Sequence, residues 1–101
     1  MAGVHGVTHA LAVDLGRDGI RCNAIAPGWI SSDLSNAYID AQATPAAARQ
    51  DLLALHPVDR TGEPQDIGAA VVFLCTDGAA FITGQVMVID GGRAAKLSLP
   101  F

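Results

Sequence analysis

The chain has 101 residues, half of them hydrophobic and 16% charged, a balance that builds a packed core rather than a disordered polymer. A formal charge of −4 with six scattered basic residues excludes a phosphate-tracking nucleic-acid surface, and no run of like charges marks an interaction tail. No apolar run is long enough for a membrane span, no secretion signal opens the chain, and Cys22 and Cys75 stand in no metal or redox spacing, so a cytoplasmic protein is expected.

A helix is predicted over residues 2–15, where Val4, Val7, Leu11, Ala12 and Leu15 fall at helical spacing with Thr8 on the same face. Gly16 and Arg17-Asp18-Gly19 close it as a capping turn. Residues 20–26 read as a strand, short, bounded by Gly19 and by Pro27-Gly28, with nearly every position fit for burial. A strand covered on both faces favours a parallel sheet between helices. Thr44-Pro45 offers a capping hydroxyl and a proline at the first helical position, predicting a helix from Pro45 to about Leu55. Another helix is predicted from Glu63-Pro64 to about Thr76. Glu63 and Asp66 put negative charge on its first turn, where the peptide dipoles favour it, and Ile67, Ala70, Val71 and Leu74 form its inward stripe. After Asp77-Gly78, Val86 to Ile89 reads as a second strand, closed by Asp90-Gly91-Gly92. This order is that of a crossover unit and predicts two neighbouring parallel strands. No repeat, low-complexity segment or linker divides residues 1–101.

The segment Pro27-Gly28-Trp29-Ile30-Ser31-Ser32 lies just past the C-terminal end of a predicted parallel strand, where α/β sheets bind ligands. Proline stops the ladder, and glycine allows a turn close to a flat ring. Taken alone, the segment reads more readily as a strand-ending turn with no ligand. Other constellations fail. His5 and His9 are four apart, but position 6 is glycine and no third ligand is apparent, so no metal site is expected. Both histidines are expected to face solvent or a subunit contact. Ser31, Ser32, Asp33 and His56 are triad residue types without a nucleophile elbow.

Four stretches, AGVHGVTHALAVDL, GIRCNAIAPGWISSDL, HPVDRTGEPQDIGAAVVFLCTD and FITGQVMVIDGG, follow one another in the order and spacing of the short-chain dehydrogenase/reductase family. Residues 2–92 resemble that family almost without a gap, as the part from just after its catalytic lysine to its C-terminus. The resemblance implies the C-terminal portion of a Rossmann-like, doubly wound parallel α/β sheet, two strands with their helices. It also implies a complete enzyme that interconverts a small-molecule ketone and alcohol with NAD or NADP. In such an enzyme the loop carrying Pro27, Gly28, Ile30 and Ser32 passes beside the nicotinamide. Ile30 would offer backbone groups to the carboxamide, and Ser32 stands where the family has a threonine. Trp29 and Tyr38 flank the substrate-covering region and are equally compatible with ordinary packing. Asn23 is expected to tie neighbouring backbone together, Arg60 to be a solvated or ion-paired loop residue, and Asp90-Gly91-Gly92 to be a close-packed turn with no helix N-terminus after it.

The departures from the family matter as much. No glycine-rich pyrophosphate turn is present, and the family's tyrosine with a lysine four residues on has no counterpart, because Tyr38 is followed by Gln42. Met1 stands where the family lysine precedes Ala2-Gly3-Val4. A truncated chain without the Ser-Tyr-Lys residues is therefore expected, inactive and without bound cofactor by itself. A homo-oligomer is expected in the complete enzyme. With strand 20–26 and helix 2–15 missing partners, the chain alone is expected to be oligomeric, molten or aggregated. The alternative is a non-catalytic association module that packs with full-length relatives.

Overall fold

The computed structural model describes residues 2–96, with α1 (Ala2–Leu15), β1 (Ala24–Pro27), α2 (Asp33–Asp40), α3 (Pro45–Ala54), α4 (Pro64–Leu74) and β2 (Val86–Ile89) in chain order. The two strands form one sheet. Its bonds run from Ala24 N–H to the Gln85 carbonyl at 2.8 Å and from Gly28 N–H to the Ile89 carbonyl at 2.9 Å. Donor and acceptor both advance along their strands, so the pair is parallel, as the crossover order predicts. No described helix is long and apolar enough to cross a membrane. Contacts divide the chain into two compact units, one of residues up to 26 with 67–88, the other of residues 27–66 with those from 89 onward.

In the first unit α1 has the predicted bounds and buries part of the predicted face. Thr8 and Ala12 are buried and His5 and Leu15 half-buried, while Val4, Val7 and Leu11 of the predicted stripe are exposed. Small size decides this. A Cβ added to Gly84 would lie 3.3 Å from the Ala12 Cβ, so the backbone of residue 84 runs close over Ala12, and the Thr8 hydroxyl is satisfied by donating to the Val4 carbonyl at 2.8 Å. His5 is thereby drawn in, its Nε2 buried without a described partner, which corrects the solvent-facing expectation; His9 is exposed.

The predicted strand 20–26 shortens to Ala24–Pro27 because side chains take over its first half. Cys22 N–H donates to Thr83 Oγ1, Arg21 and Asn23 donate side-chain N–H groups to the Ile82 carbonyl, and Asn23 Oδ1 accepts from Gln85 N–H at 3.1 Å. Asn23 thus ties the two segments together as expected, just ahead of the ladder. Along α4, Ile67, Ala70 and Leu74 are half-buried, whereas Val71 of the predicted stripe is exposed, and the helix ends at Leu74 rather than near Thr76.

In the second unit α2 arises where no helix was predicted. Ser32 and Ser35 form a reciprocal cap: Ser35 N–H donates to Ser32 Oγ at 3.1 Å and Ser32 N–H to Ser35 Oγ at 2.8 Å. The burial of Ile39 holds the helix down. Arg49 of α3 pairs with Asp40 of α2. At the start of α3, Pro45 occupies the first turn as predicted, but the Thr44 hydroxyl makes no capping bond.

Candidate functional site

The loop after β1 is held at both ends by backbone. Gly28 runs so close to Asp90 that an added Cβ would sit 2.7 Å from the Asp90 Cβ, which explains the glycine there. Two residues on, Ile30 makes a parallel bridge to Gly62: Gly62 N–H donates to the Trp29 carbonyl and Ser31 N–H to the Gly62 carbonyl, each at 2.8 Å. In a parallel bridge the central residue's own N–H and C=O point to the opposite edge. The Ile30 carbonyl there accepts the Ser35 hydroxyl at 2.9 Å, and among the described residues nothing accepts from the Ile30 N–H.

Ser32, exposed at the end of this loop, uses its oxygen to cap α2, and Asn36 Nδ2 reaches the Ser31 hydroxyl at 3.4 Å. Helix α2 is therefore fastened to the loop by its own first turns. Its exposed Tyr38 stands against Trp29, with ring centroids 6.1 Å apart and planes tilted by 53°. The structure thus gathers Trp29, Ile30, Ser32 and Tyr38 around one loop, with Pro27 ending the strand and Gly28 at the crossing.

The turn facing that loop is built by one carboxylate. Asp90 accepts from Gly92 N–H at 2.9 Å and Ala94 N–H at 2.8 Å. Those bonds, the one from Ala94 foremost, hold its carboxyl below the usual carboxylate range. A short 3-10 turn, Arg93–Ala95, follows, which corrects the expectation of no helical turn there. Its free N–H groups are turned to Asp90. Gly91 and Gly92 adopt positive φ, and a Cβ on Gly91 would lie 2.7 Å from Val58 Cγ2, so the close-packed reading of this turn holds.

Arg60 is ion-paired, as its loop position suggested, through two bonds of 2.7 and 2.9 Å to Asp66. Asp66 also accepts from Glu63 N–H at 2.7 Å and so caps α4. The Arg60 bonds first, then the Glu63 N–H, pull the Asp66 pKa down to about 2. A carboxylate depressed in this way stabilises the fold above its unfolded pKa of about 4 and loses that contribution as pH falls through the folded value. Asp66→Asn is expected to lower the urea midpoint at neutral pH, and the gap from the parent should close between about pH 4 and pH 2. A gap unchanged at the acid end contradicts the pairing. The dual part of Asp66 as cap and ion-pair partner, the capping role of Ser35 and the burial of His56 carry no signal in sequence pattern alone.

A family model described as enoyl-(acyl carrier protein) reductase matches residues 1–94. The BbsD subunit of (2S)-[(R)-hydroxy(phenyl)methyl]succinyl-CoA dehydrogenase from Thauera aromatica is 42% identical over 93 residues, covering 92% of this chain and 35% of that protein. A short chain dehydrogenase family protein from Francisella tularensis superposes with a TM-score of 0.86 at 32% identity, over 94% of this chain and 41% of that one. The structure of 4-hydroxyisoleucine dehydrogenase complexed with NADH gives a TM-score of 0.83 at 34% identity, over 95% of this chain and 38% of that one. The chain spans about a third of the length of the curated relatives it matches.

Proposed function

Because the chain belongs to the short-chain dehydrogenase/reductase family, with the Rossmann-like α/β architecture of its structural neighbours, we propose that residues 27–32 form the nicotinamide-side wall of an NAD(P)-dependent oxidoreductase interconverting a ketone and an alcohol. The observation that carries this is the Ile30 backbone, whose N–H and C=O face away from the Gly62 bridge. A carboxamide has one acceptor and one donor and fits that pair, the carbonyl keeping a second lone pair beside the Ser35 bond. When bound, the nicotinamide supplies or takes up the hydride. The Ser32 oxygen caps α2 and its hydroxyl donates to Ser35 Oγ at 3.2 Å; on this reading that hydrogen turns to the cofactor when it binds. Pro27 ends the ladder, and Gly28 brings the loop against Asp90. Trp29 and Tyr38 cover the substrate side.

On this reading residues 1–101 act as one piece of a single family domain. The proton donor to the carbonyl comes from residues outside this stretch, because no tyrosine here has a lysine four positions on. NAD or NADP is held only in the complete enzyme. The exposed Val4, Val7, Val72 and Phe81 favour burial against the rest of such a domain and against further copies in a homo-oligomer, and the reduced thiols suit the cytoplasm.

The test is a fusion in which residues 2–94 replace the matching third of 4-hydroxyisoleucine dehydrogenase. In that enzyme Ser32→Ala is expected to raise the cofactor KM about tenfold, the worth of one hydrogen bond near 1.4 kcal/mol. Ser32→Thr, which keeps both cap and donor, is expected to stay within about twofold of the parent. Equal behaviour of Ala and Thr would remove Ser32 from the site.

A further inference from the structure

Helix α2 leaves a strip of apolar side chains uncovered. At about 100° per residue, Leu34, Ala37, Tyr38 and, at the helix end, Ala41 fall within roughly 100° of arc. All of them are exposed, Leu34 at 83% and Tyr38 at 61%, while Ser35 and Ile39 turn the adjoining arc inward. Large apolar groups held side by side in water mark a surface that something covers.

The way the helix is fastened says what. The Ile30 carbonyl points to the edge away from Gly62, and there it accepts the Ser35 hydroxyl at 2.9 Å. The first turn of α2 therefore stands on the edge proposed to receive the carboxamide. The Ser32–Ser35 cap and the Asn36 bond to Ser31 hold helix and loop in one register. Tyr38 lies against Trp29 of the loop itself, which extends the strip by an aromatic ring. An apolar surface continuous with that loop is placed to cover the substrate's body.

Charge narrows the class. Residues 27–41 contain no basic side chain. Their two carboxylates are Asp40, paired with Arg49, and Asp33, which has no cationic partner among the described residues and sits about a quarter turn from the strip. An anionic body finds nothing to pair with here and meets Asp33, whereas an apolar body covers Trp29, Leu34 and Tyr38. We propose that this strip, with Trp29, selects a neutral ketone or alcohol whose body beyond the reacting carbon is apolar. The proposal deepens the cofactor reading and rests on it.

Cyclohexanones carrying isopropyl, carboxylate or dimethylammonio opposite the carbonyl share one shape and differ in charge. In the fusion that completes the domain, kcat/KM is expected to be about tenfold higher for the isopropyl ketone than for the carboxylate. Leu34→Lys is expected to raise the carboxylate relative to the isopropyl ketone by about fivefold, the size of a partly exposed ion pair. Leu34→Asp should do the same for the ammonium ketone. Leu34 is mostly exposed, so neither change threatens the fold, and ratios within one fusion cancel the host's share of the pocket. Selectivity that ignores the charge at position 34, or a parent fusion that prefers either charged ketone, overturns the proposal; the strip then faces the rest of the domain or another copy. If the fusion gives no turnover, Trp29, the one tryptophan, reads occupancy in the 101-residue chain. There 4-isopropylcyclohexanol at about millimolar concentration is expected to shift its emission to the blue, and inositol, the same ring covered in hydroxyls, to leave it in place. Equal responses, or none, overturn the proposal. The Ser32 comparison keeps the two claims apart. Ser32→Ala raising the cofactor KM while position 34 leaves selectivity unmoved refutes this proposal alone. Selectivity that follows position 34 beside a silent Ser32 supports it and removes Ser32 from the cofactor.

Discussion

Mixed with either nicotinamide cofactor and a panel of alcohols and ketones, the 101-residue chain alone is expected to give no turnover above buffer. Tyr38 is the one tyrosine, and the residue four positions on is Gln42, whose side-chain N–H goes to the Tyr38 carbonyl at 3.0 Å, so no lysine stands at that position to hold a ribose. General acid–base assistance is worth about 10²–10⁴ in rate, and holding reactants in register still more. The loop at residues 27–32 supplies neither a proton donor nor the phosphate-binding turn. Activity that survives purification and disappears on mutating Tyr38 or Ser32 would overturn this.

The second large effect is steric. Gly28→Val is expected to destabilise the second unit by about 1–3 kcal/mol or more, because its Cβ would meet Asp90 Cβ at 2.7 Å and Asp90 Cα at 2.8 Å. Backbone cannot step aside cheaply here. Asp90 is anchored by the N–H groups of Gly92 and Ala94, and Gly28 N–H is bonded to Ile89. Gly62→Ala provides the contrast. Its nearest obstacle is the Ile30 Cδ1 methyl at 2.4 Å, the far end of a side chain that can turn, so its cost is expected to be the smaller of the two. Denaturant midpoints of the two variants measure the difference. A Gly28→Val protein as stable as Gly62→Ala would mean that the loop does not cross Asp90 so closely.

Local sequence signals were legible where they were strong and single-purpose. Pro45 opening α3, the acidic first turn of α4 and the apolar Val86–Ile89 strand all declared themselves. Asn23 and Arg60 also behave as their positions suggested, one tying backbone and the other paired with an acid. Misreadings arose where neighbours outweighed periodicity. Of the predicted α1 stripe, Thr8 and Ala12 are buried, Ala12 where the backbone of Gly84 runs close over it, while Val4, Val7 and Leu11 are exposed. Helix α2 was hidden because its cap is a serine pair rather than the familiar hydroxyl and glutamate. His56 stood out only as a triad residue type; its burial arises in the fold, where Gly91 comes alongside it. The candidate loop itself was legible chiefly through the family resemblance, since proline and glycine alone describe any turn.

The central claim is that the Ile30 backbone receives the nicotinamide carboxamide, and one binding comparison addresses it directly. In the fusion that completes the domain, NADH and ADP-ribose, which lacks the nicotinamide, are titrated against the parent and against Ile30→Pro, which removes the N–H. The expected result is a loss of about tenfold in NADH affinity, one hydrogen bond's worth, with ADP-ribose binding unchanged. Equal losses for both ligands, or no loss for NADH, would contradict it.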